Sequence, residues 1–276
     1  MDAQGVGTII DNDPQPTKFY VVDDGSANKT FEYAAGGAAV ESYSVNTGNS
    51  APRGAASTAA GDKLWVVDSN RIVYVYNTSG GLLGSWTVGG FNNSSQLEGI
   101  TVSGSDVWIV DAKSDKVYRY AGAATRLSGS QNAASSFSLN GSNTSPTDVV
   151  TDGSSLWVVN DTSTDKVFKY TVSGTLLGSW TITGAGSAPT GITLDPGSPS
   201  HLWIVDNGTD RVYQFDNAVS RTSGSQSPST SFALAAGNTN PQGIADPPPG
   251  GGEGAYDAAL LSLLDDYLPS GQRKRR

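Results

Sequence analysis

One short apolar strand ending in Asp or Asn recurs five times along the chain, and its period constrains the fold more than any other feature. It reads Lys18-Phe-Tyr-Val-Val-Asp23, Lys63-Leu-Trp-Val-Val-Asp68, Asp106-Val-Trp-Ile-Val-Asp111, Ser155-Leu-Trp-Val-Val-Asn160 and His201-Leu-Trp-Ile-Val-Asp206. The aromatic positions Tyr20, Trp65, Trp108, Trp157 and Trp203 lie 45, 43, 49 and 46 residues apart by subtraction. A repeat of roughly 40–50 residues rich in short strands is the signature of one four-stranded propeller blade.

Three companion strands keep the same phase. Each Asp or Asn is followed by an alternating strand: Lys29–Tyr33, Ile72–Tyr76, Lys116–Tyr120, Lys166–Tyr170 and Arg211–Phe215. Period-2 alternation predicts one face against a neighbouring blade and one face in solvent. An outer strand follows at Val40–Val45, Leu82–Val88, Ser135–Leu139, Leu176–Ile182 and Thr230–Leu234. The fourth is short: Pro52-Arg-Gly-Ala55, Leu97-Glu-Gly-Ile100, Pro146-Thr-Asp-Val149, Pro189-Thr-Gly-Ile192 and Pro241-Gln-Gly-Ile244. Its glycine fits a place where strands crowd around an axis. No helix is expected between residues 17 and 246. The predicted fold is an all-β propeller of about five four-stranded blades over residues 14–246.

The repeats begin with the Tyr20 strand and end with the Gly-Ile strand of Pro241–Ile244, so the last strand can complete the first blade. Such closure removes the open sheet edges that invite aggregation. An alternative phase gives blade one its own inner strand, Gly7–Asp11, and leaves Pro241–Ile244 to an incomplete sixth blade. Five blades is the expectation.

Pro-x-Gly-Ile-x-x-Asp, a short loop, then Leu-Trp-Ile-Val-Asp and Arg-Val-Tyr-x-Phe resembles NHL-type repeats, with the fullest copy at residues 189–215. That resemblance implies a propeller and leaves function open, because such propellers include binding platforms and enzymes. Gly5-Val-Gly-Thr-Ile-Ile-Asp-Asn-Asp13 resembles the last strand of a Calx-β domain, a calcium-binding sandwich of surface proteins. It implies that residues 1–13 end an upstream domain of a large bacterial surface protein, with most of that domain's calcium ligands lying outside this chain. Residues 247–254 read as a Pro/Gly linker. Residues 255–276 read as a short amphipathic helix and basic tail, with Tyr256, Leu260, Leu263, Leu264 and Tyr267 on one face.

Charge and rare residues narrow the chemistry. A net charge of −9, with its basic cluster confined to Arg273–Arg276, argues against nucleic acid as a partner. No stretch approaches the ~18 apolar residues of a helical membrane span. Residues 1–20 lack an apolar core after a basic start, so no signal peptide is read, and an exported protein would be longer than this chain. With no cysteine and a single histidine, disulfides, thiol nucleophiles and multi-histidine lyase chemistry are not expected.

Among candidate sites, the recurring acidic residues at strand ends (Asp68; Asp111 with Asp115; Asn160 with Asp161 and Asp165; Asp206 with Asp210) read as turn caps, since a fold determinant repeats and a site is usually single. The second position of the inner strand varies: Arg53, Glu98, Thr147, Thr190 and Gln242 are predicted to ring one mouth of the central channel as ligand-binding residues. Glu98 superficially resembles the metal-binding Glu of calcium-dependent lactonase propellers. Calcium is the cofactor left open, with Glu98 and Asp148 as weak metal candidates. An Arg53–Glu98 pair across adjacent blades is the plainer reading. His201 occupies a slot filled elsewhere by Lys18, Lys63, Asp106 and Ser155, which reads as solvent-exposed. The glycosylation sequons at Asn28, Asn77, Asn93, Asn143, Asn160 and Asn207 read mostly as chance in a chain rich in Asn, Ser and Thr.

The function expected is a non-catalytic extracellular module for binding, adhesion or presentation, monomeric or part of a longer chain. Its ligand is an unidentified protein or carbohydrate. The alternative is a calcium-dependent hydrolase or lyase working through Glu98 at the channel mouth. A carbohydrate site between blades, formed with Trp86 and Trp180, is a third reading.

Overall fold

The computed structural model describes residues 16–58, 61–91 and 94–247. They form five sheets, each built around four antiparallel strands. Blade 2 comprises Pro52–Ser57, Lys63–Asp68, Ile72–Asn77 and Leu82–Gly89. Blade 3 comprises Leu97–Ser103, Asp106–Asp111, Lys116–Tyr120 and Ser135–Ser138. Blade 4 comprises Pro146–Thr151, Ser155–Asn160, Lys166–Thr171 and Leu176–Ile182. Blade 5 comprises Pro189–Leu194, Leu202–Asp206, Arg211–Phe215 and Thr230–Ala233.

Blade 1 takes its second, third and outer strands from the start of the chain: Thr17–Asp23, Lys29–Ala34 and Ala39–Ser44. Its inner strand is the last one, Pro241–Ala245, paired with Val21 opposite Ile244 and Val22 opposite Gly243. The inner strands contact one another in a closed ring running through blades 2, 3, 4, 5 and 1. The five-blade phase therefore holds, with the inner place of blade 1 filled by Pro241–Ala245. Residues 1–15 and 248–276, including the Calx-β-like stretch and the predicted helix and tail, lie outside the described residues.

The second strands alternate between two interfaces rather than between core and water. Phe19 and Val21 pack with Trp203 and Val205 of blade 5, whereas Tyr20 and Val22 pack with Leu64 and Val66 of blade 2. Trp65 and Val67 then meet Val107 and Ile109, and the pattern repeats through Trp108 and Trp157. Both faces of a propeller blade are covered by neighbours, so a period-2 pattern is apolar on both phases. For the same reason the third strands are less wet than alternation predicts. Val73, Tyr74, Val75 and Tyr76 are all buried, and the position of Val75 is polar elsewhere, buried as Glu32 and half-buried as Arg119, Lys169 and Gln214.

Two features depart from the helix-free reading. Single 3-10 turns occur at Ala123–Thr125 and Ala218–Ser220, each entered through a residue with positive φ, Gly122 at 70° and Asn217 at 55°. The segments beyond them cross to the preceding blade, where Ser130–Asn132 and Ser225–Gln226 add in parallel to the outer strands of blades 2 and 4. A side chain at Gly84 would strike the carbonyl of Leu127 in the first crossing, which accounts for Gly in Leu-Leu-Gly-Ser-Trp. Among the described residues no helix is long and apolar enough to cross a membrane.

Candidate functional site: two ends of the central channel

The strand-end acids set the starts of the inner strands. Asp23 accepts the N–H of Asn240 at 2.6 Å, Asp68 that of Ala51 at 2.8 Å, Asp111 that of Gln96 at 2.7 Å and Asp206 that of Ala188 at 2.8 Å. Each donor directly precedes an inner strand. The same carboxylates also cap their own hairpins, through Gly25, Asn70, Lys113 and Thr209. Blade 4 differs: Ser145 takes a positive φ of 52°, and Asn160 instead donates from Nδ2 to the Thr144 carbonyl at 3.2 Å. Asp23, Asp68, Asp111 and Asp206 are thus fold determinants, the turn role expected of strand-end acids.

With those starts fixed, the second positions of the inner strands meet at one mouth. Arg53 Nη1 lies 2.5 Å from Asp24 Oδ2 and donates to Gln242 Oε1 at 3.3 Å, while its Nε lies 3.6 Å from Glu98 Oε2. Gln242 donates in turn to Asn240 Oδ1 at 2.8 Å. Blades 1, 2 and 3 are joined by this polar network. Thr190 donates to the Pro241 carbonyl at 2.7 Å and Thr147 to the Val159 carbonyl at 3.4 Å, so both threonines are turned to backbone. The Arg53 and Glu98 side chains stay about a quarter exposed, at 24% and 25%. Burial raises the Glu98 pKa, and the Arg53 guanidinium opposes that rise.

Below this mouth four glycines and one aspartate line the axis. A Cβ on Gly54 would lie 2.7 Å from the Cα of Gly99, one on Gly243 2.7 Å from the Cα of Gly54, and one on Gly191 2.9 Å from the Cα of Gly243. The backbones approach too closely for side chains there. Blade 4 alone has Asp148 in this place, fully buried. Its carboxyl accepts the N–H groups of Val149 at 2.8 Å and Ile192 at 2.9 Å, and also that of Ile100. Asp148 therefore ties blades 3, 4 and 5 together and separates two chemically different ends. Burial raises its pKa well above the ordinary carboxylate range, against the three backbone donors.

Glu98 and Asp148, the weak metal candidates, thus have protein partners of their own, a guanidinium and three amides. This donor set does not fit a calcium ion, which requires several free oxygens on one point. Among the described residues no group of three or more His, Cys, Asp or Glu side chains converges as a metal site.

The far end opens into a funnel of about 420 Å³. Ile100, Val149, Ile192, Leu194 and Ile244 supply apolar walls, and Ser57, Thr58, Ser103 and Asp152 form part of the rim. Asp195 and Asp246 also line it, and Lys18 Nζ stands 2.9 Å from an oxygen of each. Asp195 is well supplied, accepting from Gly197 and Ser198 N–H groups and from Trp203 Nε1 at 3.3 Å. Burial would raise its pKa, but Lys18 and these donors bring it below the ordinary value. Asp246 has no side-chain exposure, and its Oδ1 accepts no hydrogen bond from the protein. Burial pushes its carboxyl up to about 8, with Lys18 opposing.

Sequence reasoning missed this trio. The slot of Lys18 was expected to be exposed, yet Lys18 is 16% exposed, and His201 in the same slot meets Gln214 at 2.6 Å and Asp216 at 3.4 Å. One signal was present: Asp246 stands where the other inner strands carry Ser57, Val102, Thr151 and Leu194. A carboxylate at an otherwise small or apolar position is an anomaly that needs a reason.

The carbohydrate reading at Trp86 and Trp180 does not survive. Both rings are 1% exposed and pack edge-on or tilted against Tyr120 and Phe215, at 5.4 and 5.2 Å between centroids. What these strands expose is Leu82, Leu83, Leu176 and Leu177. Two of the sequon asparagines, Asn143 and Asn160, are buried and engaged in hydrogen bonds.

No family model matches the chain, and no curated protein sequence matches it. Among solved structures, a chain of a nidogen/laminin complex is similar, at 16% identity over 83% of this chain and 98% of that one, with a TM-score of 0.55. A hydrazine synthase from Kuenenia stuttgartiensis aligns at 17% identity over 78% of this chain and 66% of that one, with a TM-score of 0.44. A glutaminyl cyclase from Myxococcus xanthus aligns at 9% identity over 80% and 77%, with a TM-score of 0.47. The likeness to the nidogen/laminin chain is one of fold alone.

Proposed function

We propose that this propeller is a non-catalytic extracellular binding module, built of NHL-like repeats and placed behind a Calx-β-like domain in a larger surface protein. Its ligand is a protein or carbohydrate held at the mouth ringed by Arg53, Glu98, Thr147, Thr190 and Gln242. The observation that carries this reading is Arg53. Its guanidinium is positioned by Asp24 and Gln242 of blade 1 and Glu98 of blade 3 while keeping part of its surface at the opening. A preorganised arginine with planar, fixed donors is the residue best suited to polar recognition at low entropic cost. The non-catalytic reading rests on the absence of cysteine and on the one histidine being engaged by Gln214 and Asp216.

The test is binding of the labelled chain to peptide and glycan arrays, run with wild type and Arg53→Ala. Saturable binding that Arg53→Ala abolishes, without a change in melting temperature, is expected. Binding that Arg53→Ala leaves intact, or no binding on either array, would overturn the reading.

A further inference from the structure

We propose that the funnel at the far end of the channel binds a small organic cation, an amine or guanidinium carried on an apolar body, with Asp246 as its anchor. This site is separate from the Arg53 mouth, since the glycine ring and Asp148 lie between them. A cavity of about 420 Å³ with apolar walls and one convergent acid falls within the ~300–1,000 Å³ of small-molecule sites.

The case for a cation comes from charge and valence. A buried carboxylate oxygen without a donor is costly, and Asp246 Oδ1 is such an oxygen. Lys18 is shared between Asp195 and Asp246, so two acids have one base. The exposed Asp152 at the rim adds to the same sign, and no Lys or Arg lines the funnel among the described residues. An ammonium or guanidinium N–H would supply a donor to Oδ1 and balance the carboxylate that forms when Asp246 gives up its proton. An anion would meet two acidic groups, and a neutral body would bring no charge to favour that ionisation. The groups facing Asp246 are Lys18 on the second strand of blade 1 and Asp195 at the end of the blade 5 inner strand. Because burial holds the Asp246 proton to about pH 8, cation binding at pH 7 should expel that proton.

Isothermal titration calorimetry of the full chain at pH 7, in two buffers of different ionisation enthalpy, tests this. The probes are butylamine, 2-phenylethylamine and tryptamine, against 2-phenylethanol and 3-phenylpropanoate as neutral and anionic counterparts. Saturable one-site binding of at least one amine is expected, with proton release and at least tenfold weaker binding of the alcohol and the acid. Asp246→Asn should weaken amine binding at least tenfold. Ser103→Phe, which narrows the rim and leaves Asp246 in place, should do the same, and Arg53→Ala should leave it unchanged. If Asp246→Asn does not fold, Ser103→Phe and the alcohol comparison decide. The proposal is overturned if no amine saturates, if the alcohol binds as well as its amine, or if either funnel variant binds like wild type.

Discussion

The carboxyl of Asp148 in blade 4 accepts the backbone N–H of Ile192 in blade 5 at 2.9 Å, at a level where every other blade has glycine. A single side chain thereby satisfies amides from three adjacent inner strands. Asp148→Ala would leave those N–H groups buried without an acceptor, at a cost of about 3 kcal/mol or more. Asp148→Asn, which keeps one carbonyl oxygen but sets an NH₂ against an amide, should cost about half as much. Urea unfolding of the two variants beside wild type checks the order. Equal stability of all three would show that the amides find other partners.

Stability should depend on pH in an unusual direction. Burial raises the carboxyl of Asp246 to about 8 and that of Glu32 to about 7, the latter reinforced by Glu41 and opposed by Thr17. A folded-state pKa above the unfolded one gives stability that is complete below the unfolded value and lost as pH rises through the folded value. The loss therefore runs from about pH 4 to about pH 8. Asp195 and Asp106 work the other way, and what they contribute is lost as pH falls below about 4. Maximal stability is expected near pH 4–5, with a lower melting temperature at pH 8. Melting curves across this range should show it, and Asp246→Asn with Glu32→Gln should flatten the slope.

Asn160 breaks the acidic pattern of the strand ends for a reason that can be tested. Its Nδ2 donates to the Thr144 carbonyl, and its Oδ1 accepts from Lys166 N–H at 2.8 Å. Asn160→Asp restores the residue found in the other four blades, yet it places a buried carboxylate oxygen against a carbonyl. A loss of about 1–3 kcal/mol is expected. If instead Asn160→Asp stabilises the protein, Ser145 has flipped to the backbone geometry of the other blades.

The propeller, its blade count and its closing strand were legible because a 46-residue period and the phase of its ends are local properties. The Arg53–Glu98 pair was legible too, since equivalent positions of adjacent inner strands must be neighbours. The funnel trio was not. Lys18 and Asp195 are 177 residues apart, and Asp246 joins them only because the last strand docks beside the first. The fate of Trp86 and Trp180 was hidden by the crossings after Ala123–Thr125 and Ala218–Ser220, which cover outer strands that an isolated blade would expose. A second period was present in the sequence: Arg126-Leu-Ser-Gly-Ser-Gln131 returns as Arg221-Thr-Ser-Gly-Ser-Gln226. In both copies the Arg Nε donates to the Gln side chain, at 2.8 and 2.7 Å, which marks a unit of two blades.

Asp148 and the glycine ring separate the proposed Arg53 mouth from the proposed Asp246 funnel, so the two sites should respond independently. The direct measurement is a crossed titration of Arg53→Ala and Asp246→Asn, each against an array-selected macromolecular ligand and against an amine. Arg53→Ala is expected to weaken the macromolecule at least tenfold and keep the amine, and Asp246→Asn to do the reverse. Loss of both ligands in either folded variant, or of neither in both, would contradict it.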